Sequence, residues 1–143
     1  MTALRRYACV LALGALGCGG GTLASSGAPP TFPADALVSA SSMSGQLLVE
    51  VRTDPQPPVK GALSAELTIT DGAGQPVDGL DVAVVPWMTA HGHGTGVSPQ
   101  VTAQGQGQYL VENLYLYMSG TWELRTTISG AADDQAVPQV EVP

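Results

Sequence analysis

The sequence predicts an all-β fold, and three observations support that class. From residue 45 onward, apolar and polar residues alternate with a period of two, which is typical of strands that pack one face on a core. Of the 143 residues, 18 are glycine and 11 are proline, a content that suits short strands and turns better than helices. No window of the sequence carries a convincing 3.6-residue apolar period. The length allows one domain and hardly two.

Seven segments are predicted to form strands. They are residues 47–52, 63–70, 80–84, 97–103, 109–117, 122–128 and 139–142. Within the fifth segment, the parity of the apolar positions slips between Val111 and Leu114, which predicts a bulge near Glu112 and Asn113.

Turn sequences separate these strands, at residues 54–58 (DPQPP), 71–74 (DGAG) and 105–107 (GQG). About seven antiparallel strands in roughly 99 residues is the strand count of an immunoglobulin-like β-sandwich. The Cys…Trp…Cys pattern of true immunoglobulin domains is absent from the sequence. Tyr109 follows the last turn, and two interpretations stay open for it: a tyrosine corner whose hydroxyl bonds nearby backbone, or a simple core tyrosine.

The N-terminal segment has the features of an export signal. Arg5 and Arg6 precede an uncharged apolar stretch at residues 7–17, which has signal-peptide length and is too short to span a bilayer. The stretch ends in Ala-Leu-Gly-Cys, which resembles the lipobox of bacterial lipoproteins. That resemblance implies a lipoprotein signal peptide at residues 1–17 and acylation of Cys18. The alternative is an ordinary signal peptide followed by a chance cysteine.

Residues 18–44 are rich in Gly, Ser, Ala and Pro, and we expect a flexible tether between the lipid and a folded domain at residues 45–143. By the sorting rule known for enterobacterial lipoproteins, Gly19 implies an outer-membrane address on the extracytoplasmic side. Because Cys9 leaves with the signal and Cys18 carries the lipid, we expect neither a disulfide nor a Cys-rich zinc site. Processing changes the net charge from −7 to −9, which argues against nucleic acid as a partner.

Residues 86–96 (PWMTAHGHGTG) contain both histidines of the chain. In an extended segment, residues two apart point to the same side, so His91 and His93 could present two imidazoles together. Met88 adds a thioether three residues earlier, and this donor set suits copper better than magnesium or calcium. The alternative is a flexible turn in which Trp87 and Met88 cap the core.

Four segments carry a further signal, namely residues 71–77 (DGAGQPV), 87–94 (WMTAHGHG), 107–109 (GQY) and 116–124 (LYMSGTWEL). In this order they resemble the YtkA-like family over about residues 45–130. The resemblance implies an immunoglobulin-like β-sandwich on the outer side of a cytoplasmic membrane, often as a lipoprotein or fused to copper-handling modules. It implies four candidate copper ligands, His91, His93, Met88 and Met118. Met118 follows an apolar strand, so the alternative for its side chain is core packing.

Two functional classes stay open at this point. The first is a lipid-anchored copper-binding module, a chaperone or buffer that passes copper to an accepting protein by ligand exchange. The second is a non-catalytic immunoglobulin-like adhesion or scaffold domain at the cell envelope. No Ser/His/Asp order suggests a hydrolase, and Asp133 and Asp134 are interpreted as a solvated turn, so we do not expect an enzyme.

Overall fold

The computed structural model describes residues 28–143, and every regular element in that range is a β-strand. The strands are β1 (Val38–Ser41), β2 (Leu47–Asp54), β3 (Gly61–Asp71), β4 (Leu80–Met88), β5 (His93–Gly94), β6 (Gln100–Gly105), β7 (Gln108–Leu116), β8 (Gly120–Gly130), β9 (Asp134–Ala136) and β10 (Gln139–Val142). Sheet I has the order β1-β2-β3-β7-β6. Sheet II has the order β10-β8-β4-β5, with β9 also paired to β8. Both sheets are antiparallel, and no helix in the described range could cross a membrane.

The all-β sandwich prediction is confirmed, and the strand count is corrected from about seven to ten among the described residues. The seven predicted segments correspond to β2, β3, β4, β6, β7, β8 and β10. The sequence does not predict β1, β5 and β9, which have four, two and three residues. Strands this short are too brief to show a detectable alternation of apolar and polar residues. They pair because the neighbouring long strands already fix their position.

Part of the predicted tether, residues 18–44, belongs to the folded domain. Residues 1–27, with the expected signal peptide and Cys18, lie outside the described residues. Farther along the chain, β1 pairs with β2, placing Val38 opposite Val51. The sequence did not distinguish β1 from the tether, because its residues (VSAS) are small and alternate only weakly.

The chain that precedes β1 crosses the outer face of sheet I, and we call residues 29–35 the strap. Phe32 of the strap lines a shallow cavity together with Leu110 of β7. Four hydrogen bonds hold the strap. Thr31 N–H donates to Asp54 Oδ2 at 2.8 Å, Arg52 Nε and Nη2 both donate to Ala34 O at 3.2 Å, and Gln56 Nε2 donates to Asp35 O at 3.1 Å. The strap thus connects β7 and β2 from outside the sheet.

The hydrophobic core lies between the two sheets. Alternate residues of β3, such as Leu67 and Ile69, are fully buried, and so are Trp122 and Leu124 of β8. These side chains form one cluster that also contains Met88 at the end of β4. Complete burial of a side chain of this size stabilises the fold by about 1.5–3 kcal/mol. The inner faces of the long strands therefore supply most of the stabilisation of the sandwich.

The predicted bulge is confirmed on β7. Between two successive register positions, β3 advances from Leu63 to Ala65 while β7 moves from Leu114 to Val111, so β7 accommodates one extra residue. Asn113 takes a φ of +57°, a left-handed conformation that asparagine adopts more readily than most residues. The bulge allows both Val111 and Leu114 to face the core despite their opposite parity.

The hydroxyl of Tyr109 joins the two sheets. It donates to Val77 O at 2.8 Å and accepts a hydrogen bond from Leu80 N–H at 3.3 Å. Burial raises the pKa of Tyr109, and the bond from Leu80 acts in the opposite direction. The hydroxyl is bonded to backbone, as expected of a tyrosine corner. That backbone lies at the end of the β3–β4 connection and at the first residue of β4, 32 and 29 residues earlier in the chain.

Asp134 closes one edge of the sandwich. Its carboxylate accepts hydrogen bonds from the hydroxyl of Ser44 and from the N–H of Gln135. The hydroxyls of Ser42 and Ser44 are the main reason why the pKa of Asp134 lies well below its usual range. Nearby, Met43 N–H donates to Gln135 O at 2.7 Å. These contacts fasten the β1–β2 turn of sheet I to β9 of sheet II.

The turn between β6 and β7 requires glycine at Gly107. Its φ is +71°, and a Cβ at this position would lie 2.6 Å from Ile69 O and 3.1 Å from Pro76. The N–H of Gly107 donates to Asp78 Oδ1 at 2.8 Å, and its carbonyl accepts from Ile69 N–H at 2.8 Å. The backbone is therefore held in place on both sides and has little room to yield to a side chain.

Gly107→Ala is expected to lower the free energy of unfolding by at least about 2 kcal/mol. The cost of a left-handed backbone at alanine adds to the cost of the clash between the new Cβ and Ile69 O. Gly72→Ala is the matched control, since a Cβ there meets no atom within 4 Å and the backbone is not left-handed. That control is expected to change stability by no more than about 1 kcal/mol. Urea unfolding at equilibrium measures both variants. Equal losses of stability in Gly107→Ala and Gly72→Ala would contradict the close approach of the backbone at Gly107.

Candidate metal site

The histidine segment folds into a tight hairpin at the end of β4. The N–H groups of His91 and Gly92 donate to Met88 O at 3.2 and 2.9 Å. β5 then pairs back onto β4, with His93 opposite Met88. The segment is turned rather than extended, so the two histidines are brought together by the hairpin and not by strand alternation. We call this the histidine hairpin, residues 88–94.

Two glycines make the hairpin possible. Gly92 has a φ of +68°, which favours glycine at the turn. At Gly94, a Cβ would lie 2.8 Å from Pro86 O and 3.3 Å from the ring of Trp87, so only glycine allows β5 to approach β4 this closely. The His-Gly-His-Gly pattern therefore reflects backbone geometry as well as the placement of two imidazoles.

The rings of His91 and His93 lie side by side, with centroids 5.7 Å apart and planes inclined at 33°. His91 is exposed and His93 is half-buried. An imidazole nitrogen binds a metal at about 2.0–2.1 Å, which places two rings on one ion with centroids about 5–6 Å apart. The spacing of the two rings therefore fits a shared metal ion.

His93 is fixed by a tyrosine from the opposite side of the hairpin. Its Nδ1 lies 2.9 Å from the hydroxyl of Tyr117 and 3.2 Å from Gly94 O. The rings of His93 and Tyr117 are stacked, with centroids 5.9 Å apart. Tyr117 in turn meets the buried ring of Trp122 edge-on, at 5.5 Å. The prediction from the sequence missed Tyr117, although its place between Leu116 and Met118 in a family segment was a usable signal.

A cavity of about 320 Å³ opens between the histidine hairpin and the start of β8. Its walls include Met88, Thr89, His91, Ser119, Gly120 and Glu123. The structure thus brings the Met88 thioether and the His91 imidazole to one cavity. His93 does not line this cavity, although its ring lies beside that of His91.

The two candidate methionines occupy different places. Met88 is 1% exposed and lies between the core and the cavity. Its terminal methyl group lies next to Gly120, where a Cβ would come within 3.2 Å of it. Met118 is half-buried against the core and does not line the cavity. The packing of its side chain matches the core-packing alternative, and its carbonyl separately accepts the indole N–H of Trp122 at 3.0 Å.

Glu123 is a charged wall of the cavity that the sequence did not single out. It lies opposite Trp87 in the β4–β8 register. The Thr89 hydroxyl, followed by Arg125, lowers the pKa of the Glu123 carboxyl, so the group is ionised at neutral pH. Arg125 bonds this carboxylate at 2.9 Å and also lies 4.6 Å above the ring of Trp87. The carboxylate is therefore already engaged by a cation.

Within residues 28–143, no three side chains of the His, Cys, Asp and Glu types cluster to hold a metal. A metal bound to the hairpin would depend on His91 and His93, with Met88, which lines the same cavity as His91, as a further sulfur donor. Imidazole and thioether are borderline and soft ligands. The residues present therefore fit a copper ion better than a hard cation that prefers oxygen.

The family model described as YtkA-like matches residues 43–127, which is more than half of the chain. The match begins just after β1 and ends in β8, so it contains the histidine hairpin and the Tyr117 segment. No curated protein and no solved structure matches the chain.

Proposed function

The chain belongs to the YtkA-like family, and on that premise we propose that it is a copper-binding module of the cell envelope. Copper is its cargo, held by His91 and His93 with the thioether of Met88 as a third donor. The ion is passed to an accepting protein by ligand exchange, without a bond-making step in the protein. Imidazole and thioether donors favour copper over magnesium and calcium.

The observation that carries the proposal is the pairing of the two imidazoles. The chain has two histidines, and their rings lie 5.7 Å apart on one short hairpin. Met88 lines the cavity that His91 also lines, so a thioether is available to an ion bound there. Two nitrogen donors and one sulfur donor leave coordination positions free for a ligand from the acceptor.

The exposure of the site suits transfer. His91 is exposed at the tip of the hairpin, so a ligand from an acceptor can approach the ion before the first donor leaves. Few protein groups must move, because His93 and Met88 are held by packing while His91 is exposed to solvent. A chaperone or buffer requires this kind of stepwise exchange.

The proposed location is the extracytoplasmic side of a bacterial membrane, with Cys18 carrying the lipid and the outer membrane as the address. The mature chain has a net charge of −9, which is repelled by anionic lipid, so an acyl anchor supplies the attachment that charge does not. The partners are then the membrane, through the lipid, and a copper-accepting protein.

Copper binding is tested by titrating residues 19–143, which include every described residue, with Cu(I) and Cu(II) against a competing chelator. We expect a dissociation constant of about 1 μM or tighter. Combined replacement of His91→Ala and His93→Ala is expected to weaken binding at least 100-fold, on the order of 3 kcal/mol. Thermal unfolding serves as the folding control: a cooperative transition should persist, with a modest loss of stability because His93 is half-buried and contacts Tyr117.

Binding weaker than about micromolar, or binding that survives the double replacement, would remove the copper proposal. The immunoglobulin-like adhesion or scaffold hypothesis would then be the one left to examine.

Met88→Leu and Met118→Leu separate the two thioethers. Both changes nearly conserve volume and are expected to cost less than about 1.5 kcal/mol of stability. Met88→Leu should weaken Cu(I) binding about tenfold, since it removes a soft donor from the cavity. Met118→Leu should leave the affinity unchanged, because Met118 does not line that cavity. If Met118→Leu lost more Cu(I) affinity than Met88→Leu in the same chelator competition, Met118 rather than Met88 would be the thioether ligand.

Cys18→Ser is expected to abolish labelling by a fatty-acid analogue, because no acceptor thiol remains for the lipid. Cys9→Ser is the control, since Cys9 lies inside the predicted signal peptide and is removed with it. Labelling of cells that express each variant, followed by isolation of the protein, measures the outcome. Fatty-acid label on the Cys18→Ser protein would contradict the anchor.

A further inference from the structure

We propose that Arg125 determines metal selectivity at the histidine hairpin, because it holds the carboxylate of Glu123 and so withholds an oxygen ligand from a bound ion. The inference rests on the proposed copper function and deepens it, since it explains how a site beside a carboxylate stays selective for a soft ion. Arg125 acts through Glu123 and is not itself a ligand.

Glu123 is placed where it could bind a metal. Among the described residues that line the cavity, it is the one carboxylate, and Met88 and His91 line the same space. Two imidazoles and one carboxylate are a donor set that binds Zn²⁺. Carboxylate oxygen suits harder ions than thioether sulfur does. With this carboxylate free, the hairpin would therefore offer a zinc site as well as a copper site.

The guanidinium of Arg125 occupies that carboxylate. Its Nε and Nη2 both lie 2.9 Å from Oε2 of Glu123. Hydrogen bonds between two charged groups are stronger than those between neutral groups. The pair is partly shielded from water, because the side chain of Glu123 is 18% exposed. Arg125 therefore acts in two ways: it engages the oxygen ligand, and its positive charge repels a cation in the cavity.

Trp87 holds the guanidinium in place. The Cζ atom of Arg125 lies 4.6 Å from the centre of the Trp87 ring, in a cation–π contact. The β4–β8 register sets Trp87 opposite Glu123. The same ring lies against the histidine hairpin, since a Cβ at Gly94 would come within 3.3 Å of it. The position of Arg125 is thus coupled to the base of the hairpin.

A second pair of the same kind on β2 provides an internal comparison. Glu50 and Arg52 are also two residues apart on one strand, and Arg52 Nη2 lies 3.2 Å from Glu50 Oε2. This pair belongs to sheet I and lines no wall of the cavity. Loss of Arg52 changes the net charge as loss of Arg125 does, but it frees a carboxylate on the other sheet.

The test compares Arg125→Leu with Arg52→Leu in residues 19–143. Leucine keeps apolar atoms where the arginine stem lay and supplies no metal ligand. Arg125→Lys is the conservative variant, because it restores the positive charge beside Glu123. Thermal unfolding verifies that each variant is folded, including Arg52→Leu, which also loses two bonds to the strap.

Affinities for Zn(II) and Cu(I) are measured by competition with chelators. Arg125→Leu is expected to raise the Zn(II) affinity at least about tenfold, because the ion loses a repelling charge and gains a carboxylate ligand. A change in field alone acts in proportion to the charge of the ion, so it would raise the Cu(I) affinity by the square root of the Zn(II) gain. We expect the Cu(I) gain to stay below that square root, under about threefold, because Cu(I) takes little benefit from an oxygen ligand.

The control variants locate the effect. Arg125→Lys and Arg52→Leu should each change the Zn(II) affinity by less than about twofold, because the first keeps the local charge and the second lies on the other sheet. Adding Glu123→Gln or His91→Ala to Arg125→Leu should remove the Zn(II) gain, since each takes away one ligand of the new site.

Three results would overturn the proposal: an unchanged Zn(II) affinity in Arg125→Leu, a Zn(II) gain that persists after Glu123→Gln, and a Cu(I) gain that reaches the square root of the Zn(II) gain. An equal gain in Arg52→Leu would do the same, because it would reflect net charge. If the unmodified chain does not bind copper, the proposed function fails, while the Zn(II) titration of Arg125→Leu still decides whether Arg125 restrains Glu123.

Discussion

The indole of Trp122 connects the hydrophobic core with the histidine hairpin. It is fully buried, and its Nε1 donates to Met118 O at 3.0 Å, which fixes the connection between β7 and β8. Its ring supports Tyr117, whose hydroxyl reaches His93. Because side chains in a close-packed core have few alternative positions, a glycine-rich hairpin at the surface acquires a defined geometry through this chain of contacts.

The electrostatics of the site follow from which charges are already paired. The histidines and Met88 are neutral donors, and the nearby carboxylate of Glu123 is bonded by Arg125. A cation bound at the cavity therefore gains little from a free negative charge close by, and its affinity depends on donor type and geometry. Under the proposed function, such a site would select metals by the softness of its donors, whereas an acidic site would attract cations in general.

The sequence predicts those parts of the structure that are encoded locally. Long strands such as β3 and β8 alternate over many residues, whereas the two residues of β5 obtain their pairing from β4. The proximity of Met88, His91 and His93 was predictable because they lie within six residues. Tyr117 and Glu123 reach the same place through sheet register, which depends on the pairing of distant strands and is not specified by the pattern of one segment.

The strap changes how a pulling force on the N-terminus would reach the domain. Its bonds from Thr31 to Asp54 and from Arg52 to Ala34 lie ahead of β1 along the chain, so they would open one after another before any ladder bond of the sheet is loaded. Seven residues released in this way would lengthen the chain by on the order of 20 Å. The strap would thus act as an extensible element in series with the fold, absorbing mechanical load while the core and the histidine hairpin stay intact.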